Sequence, residues 1–72
     1  MITFDRLWRT MEDKGISQYQ LIKVYGFSPA QITRLKRNEN INSFTINRLC
    51  RILDCKVQDI MEYVEDPQDK AP

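Results

Sequence analysis

The side chains of this chain that have chemistry to offer are cations and amides. Arg34, Lys36 and Arg37 stand together at the end of residues 17–37, SQYQLIKVYGFSPAQITRLKR, and Asn38, Asn40 and Asn42 follow them directly. Guanidinium, ammonium and carboxamide donors in one short stretch suit contact with a polyanion. Catalysis, by contrast, lacks its usual parts. There is no histidine, no carboxylate pair in a recognisable cleft pattern and no glycine-rich phosphate loop. No enzymatic activity, no catalytic residue and no cofactor is expected. The only cysteines are Cys50 and Cys55, with nothing to complete a zinc set, so no metal is expected either. Both read as reduced core thiols without a redox role.

Charge along the chain supports the polyanion reading. Residues 1–15 balance three acids against three bases. From Ile16 to Leu53 six bases, Lys23, Arg34, Lys36, Arg37, Arg48 and Arg51, face Glu39 alone, a net +5. From Asp54 to Pro72 six acids outweigh two bases, a net −4, so an overall +1 conceals a basic centre and an acidic end. No run of about 18 uncharged apolar residues is present, and MITFDRLWR lacks the layout of a secretion signal. A cytoplasmic location away from membranes is expected.

Two capped helices must position the basic cluster. Ser17 is placed to cap the first, with Gln20 as reciprocal partner and Ile16 and Leu21 as a hydrophobic staple. The signature then repeats. Ser28 precedes Pro29 at the first helical position and Gln31 at the third, with Phe27 and Ile32 as the second staple. Gly26 lies in the short turn between them, and two short helices meeting at such a turn suggest DNA binding.

The remaining periodicity is helical throughout. Phe4, Leu7, Trp8 and Met11 form one stripe, giving a helix over about 4–14. Ile46, Leu49, Cys50 and Leu53 give another near 44–54, and Val57, Ile60, Met61 and Val64 a last one near 57–64. With the third helix at about 29–37, the expectation is an all-α, five-helix domain over residues 1–65 without strands. Trp8, Phe4 and Phe44 are assigned to its core, alongside Leu21, Ile22, Tyr25, Ile32 and Leu35. At 72 residues the chain has room for one domain, and residues 66–72 read as a disordered polar tail.

Over residues 4–64 the chain resembles the phage-repressor family of Cro/CI-type, or xenobiotic-response-element, helix-turn-helix proteins, in its small single-domain bacterial form. The likeness is carried by Gln18, Leu21, Gly26, Ile32, Leu35 and the closing stretch INRLCRILDCKVQDIM. It implies that the helix-turn-helix is formed by helices two and three, and that helix three enters the major groove. Matching the family pattern places Ser28, Pro29, Ala30, Thr33 and Arg34 toward base edges. Pro29 and Ala30 offer only apolar contact, for example to a thymine methyl, so Arg34 is expected to carry much of the readout by pairing bidentately with guanine. The family pattern places phosphate contacts at Gln18 and within KRNENINS, namely Lys36, Arg37, Asn38, Asn40, Asn42 and Ser43, where helix-start N–H groups add donors. Arg48 is an outer candidate. Ile22 departs from the small residue usual at its position, and Lys56 from a capping serine.

Plainer roles compete for these residues. Cations near a helix C-terminus favour its dipole, Gln31 serves its cap, and the asparagines can be turn formers. The family context favours double-stranded DNA as partner for the cations and for Gln18. The expected function is a sequence-specific transcriptional regulator, a repressor acting as a homodimer on a two-fold-related operator, with helix five and its Met61, Tyr63 and Val64 as interface. The alternative is a protein-interaction module on the same fold, such as an antitoxin or antirepressor with an unidentified regulatory partner.

Overall fold

In a computed structural model, residues 1–65 are described. Four α-helices occupy most of them: α1 (Asp5–Lys14), α2 (Gln18–Lys23), α3 (Pro29–Lys36) and α4 (Ser43–Leu53). A single 3₁₀ turn, Val57–Asp59, follows, and a short ribbon pairs β1 (Ile2–Thr3) with β2 (Glu62–Tyr63). The expected tail, residues 66–72, lies outside the described residues.

All four helices contribute to one core. Phe4, Leu7 and Met11 come from the first stripe, Leu21, Phe27, Ile32 and Leu35 from the helix-turn-helix, and Ile46, Leu49, Leu53 and Ile60 from the C-terminal part. The stripes act as expected because residues three and four apart share a helix face. Ile22, at its atypical position, is accommodated half-buried against this core. Phe44 is not part of it and is 68% exposed. Ile46 and Leu49 set the inner face of α4, and Phe44, two residues before Ile46, points about 200° round the helix from it.

The fifth helix is replaced by the 3₁₀ turn and β2. Lys56 brings no side-chain cap; instead Asp59 Oδ2 accepts from the Lys56 N–H at 3.0 Å. A weak start competes with a better use of the following backbone. Ile2 pairs with Tyr63 and Thr3 with Glu62, while the Val64 N–H donates to Met1 O at 2.8 Å, so those groups are spent on the N-terminal strand. Of the apolar period, Ile60 is fully buried and Met61 packs half-buried against the core, while Val57 and Val64 are exposed. From α1, Thr10 Oγ1 donates to Asp59 O at 2.7 Å and Arg6 to Gln58 O at 3.0 Å, with Arg6 also paired to Glu62 at 2.8 Å. These bonds hold the C-terminal segment against the first helix.

Candidate nucleic-acid interface

Both expected capping boxes form. Ser17 Oγ accepts from Gln20 N–H at 3.1 Å and Gln20 Oε1 from Ser17 N–H at 2.8 Å. At α3, Ser28 Oγ accepts from Gln31 N–H at 3.2 Å and Gln31 Oε1 from Ser28 N–H at 2.9 Å. Gln31 is thereby committed to its helix start. Between the boxes, Gly26 takes φ 77°, a left-handed value that favours glycine, and the Phe27 N–H donates to Leu21 O at 3.0 Å. Phe27 is then buried beneath the turn.

Arg48 of α4 clamps this turn from below. Its guanidinium donates to Tyr25 O and lies 4.4 Å above the centre of the Phe27 ring. Sequence reasoning placed Arg48 as an outer DNA contact, and the structure turns it inward, a role invisible without the tertiary contact to a residue 23 positions away. Arg48→Met is expected to lower stability by about 1–2 kcal/mol, seen as a lower urea midpoint. The slope of log affinity against log salt should stay unchanged, since no phosphate contact is lost; a shallower slope would return Arg48 to the DNA surface.

α3 divides cleanly by face. Ile32 and Leu35 are buried, whereas Ser28, Pro29, Ala30, Thr33 and Arg34 are all exposed. Thr33 Oγ1 donates to Pro29 O at 3.1 Å, which leaves its lone pairs as the groups able to meet a partner. Arg34 reaches into an open notch that also contains Asn40, Ile41 and Asn42. The side chain expected to read bases and two expected to touch phosphate therefore share one concavity between α3 and α4.

The segment after α3 is shaped by Asn38. It adopts φ 55° and ends the helix, with Glu39 N–H donating to Arg34 O at 2.9 Å. Its Oδ1 accepts from the Phe4 N–H at 2.8 Å, so the side chain ties this loop to the N-terminal strand. Its Nδ2 donors remain as chemistry for a phosphate. Asn42, rather than Ser43, is the N-cap of α4: its Oδ1 accepts from Thr45 N–H at 2.8 Å. Ser43 is the first helical residue, and the backbone N–H groups of Ser43 and Phe44 are the first two of that helix start. Lys36 and Arg37 are exposed. Arg37 approaches Glu39 at 3.8 Å, a solvent-exposed pair of the kind worth about 0–1 kcal/mol and readily exchanged for another anion. Gln18 lies apart, at the first position of α2, in a groove with Trp8, Glu12 and Ile16.

A capped helix standing outward on a glycine turn, with cations along its exposed side, defines a helix-turn-helix domain. The chain matches the model of the Cro/C1-type helix-turn-helix DNA-binding domain over residues 6–66, and it belongs to that family. Its fold is similar to that in the crystal structure of the transcriptional regulator VanUg, with a TM-score of 0.81, 25% sequence identity, and 90% of this chain and 87% of that one covered. No curated protein matches it. The all-α helix-turn-helix class expected from sequence is correct, with four helices, a 3₁₀ turn and a small ribbon in place of five helices. Among the described residues no helix is long and apolar enough to cross a membrane, and no group of three or more His, Cys, Asp and Glu side chains is placed to hold a metal ion.

Proposed function

We propose that the protein is a transcriptional regulator that binds double-stranded DNA sequence-specifically, most simply as a repressor that occludes a promoter. The observation that carries this reading is the exposed side of α3. Its inner side is anchored by Ile32 and Leu35, and Arg34 projects from it into the notch shared with Asn40 and Asn42. A helix held this way can enter the major groove with Ser28, Pro29, Ala30 and Thr33 near the base edges and Arg34 pairing with guanine. Lys36, Arg37, Asn38, Asn40, Asn42 and Ser43 flank it on one side and Gln18 on the other, matching a helix-turn-helix whose phosphate contacts set register.

One recognition helix covers a single half-site, so a homodimer on a two-fold-related operator, with half-sites about one helical turn apart, follows. The expected interface on a fifth helix has no helix to form it. Val57 on the 3₁₀ turn and Tyr63 and Val64 on or beside β2 are nonetheless exposed, and they supply apolar surface for a second copy.

Fluorescence anisotropy on DNA from upstream of the protein's own gene, against scrambled duplex, tests the reading across a salt series. Log affinity should fall linearly with log salt, by about 0.9 per phosphate neutralised, with the native fragment preferred throughout. Equally weak binding to both duplexes at every salt concentration would favour the protein-interaction module instead.

A further inference from the structure

The proposed function does not use the two cysteines, although the groove they line runs to Ser43 at the start of α4. Cys50 lies near the end of α4 and Cys55 just beyond it, with Asp54 between them in left-handed backbone at φ 49°. That reversal lets the N–H groups of Asp54 and Cys55 both donate to Cys50 O, the second at 3.1 Å. In this way of ending a helix, the residue giving the carbonyl and the one just past the left-handed position come side by side. Here both are cysteine, and the Cys50 thiol lies near enough to help raise the Cys55 pKa. Both are half-buried, packed against the edge of the core rather than enclosed in it. Together with Ile46, Val57 and Met61 they line one open groove.

A disulfide requires Cα atoms about 4.4–6.8 Å apart and side chains pointing at one another. The backbone bond between residues 50 and 55 sets the two residues side by side, as such a bridge needs. We propose that Cys50 and Cys55 form a dithiol site that closes to an intramolecular disulfide on meeting a peroxide. One thiolate attacks a peroxide oxygen, the O–O bond breaks, and a sulfenic acid and one water result. The second thiol attacks that sulfur, the S–S bond forms, and the sulfenic oxygen leaves as a second water. Two electrons pass from the sulfurs to the peroxide, and the two thiol protons end in water. Either cysteine can be oxidised first, since the product is the same.

The rate carries a pH signature. Burial pushes the Cys55 thiol above its ordinary value, and Cys50 and Asp59 of the 3₁₀ turn push the same way, while Lys14 of α1 opposes them. Lys56, exposed at the groove, and Asp54 and Arg51, adjacent in the chain, are further charged neighbours. Only the thiolate attacks, so the share of closure that begins at Cys55 should quicken as pH rises.

The test uses the whole purified chain, hydrogen peroxide, maleimide trapping and intact mass. The native protein should lose two hydrogens, accept no maleimide, remain free of interchain disulfide and recover both maleimide sites on reduction. Cys50→Ser and Cys55→Ser should each gain oxygen or cross-link between chains instead. Closure in the folded protein should be several-fold faster than in the urea-unfolded chain. The proposal is overturned by native protein that keeps both maleimide sites under peroxide that oxidises the single-cysteine variants. Disulfides found only between chains, or closure no faster folded than unfolded, overturn it equally.

Discussion

Arg34→Ala is expected to remove most of the protein's preference for its operator while leaving the fold intact. Arg34 is exposed on α3 and takes no part in the core, which Ile32 and Leu35 supply from the same helix. Its loss therefore leaves no cavity and no stranded buried partner. On DNA, a bidentate arginine–guanine pair is worth about 1–3 kcal/mol of discrimination, roughly five- to 150-fold in relative affinity. Pro29 and Ala30 cannot replace it, since neither side chain has a hydrogen-bond donor or acceptor. Affinity for scrambled duplex should fall much less, because Lys36, Arg37 and the helix-start N–H groups remain. Competition binding with operator and scrambled DNA gives the ratio, and circular dichroism confirms the fold. A variant that discriminates as well as the parent would remove Arg34 from the readout.

Leu35→Ala is expected to produce the largest loss of stability. Leu35 is fully buried on the inner side of α3, within the cluster that includes Leu7, Leu21 and Leu49. Truncating a buried leucine costs about 2–5 kcal/mol, lost transfer energy plus a cavity the surroundings only partly fill. Domains are stable by about 5–15 kcal/mol in total, and one this small buries a modest share of its surface. A large part of the folding free energy should thus disappear, with Tm lowered by roughly 10–30 °C. At low temperature, where the variant is folded, operator preference should persist, because Arg34 is still displayed. A thermal melt within two or three degrees of the parent, on the order of the shift from half a kcal/mol, would show that α3 is anchored elsewhere. The two substitutions lie side by side on one helix and are expected to separate recognition from folding.

Much of the helix-turn-helix was legible in the linear order of residues because its signals are local. Each capping box needs two side chains three positions apart, and Ser17 with Gln20 and Ser28 with Gln31 satisfy both in the structure. The division of α3 into a buried and an exposed face follows from its period, which put Ile32 and Leu35 inward and Arg34 outward. Gly26 marked the turn because its left-handed backbone favours a residue without Cβ. The family likeness rested on these same residues, and the matched family model spans them.

Other features depended on contacts distant in sequence. Val57, Ile60, Met61 and Val64 carry a helical period, yet pairing of residues 62–64 with residues 1–3 captured the backbone groups a helix would have needed. A two-residue strand has no alternation to detect, and nothing local in Ile2–Thr3 announces a partner some 60 positions away. Asn38 reads as a turn former or a phosphate donor, and only the folded chain shows its Oδ1 holding the Phe4 N–H. Arg48 counts as one more cation until the Tyr25 carbonyl and the Phe27 ring draw it inward. Cys50 and Cys55, with four residues between them in the chain, came side by side because Asp54 turned left-handed before Cys55. The sequence by itself determined where helices begin, which faces are apolar and where the cations cluster, since those follow from propensity and period within a few turns. Tertiary structure alone decided which cation faces solvent, which amide closes a loop and whether the last segment coils or pairs, because each of those choices is settled by a partner that the chain meets only after it has folded.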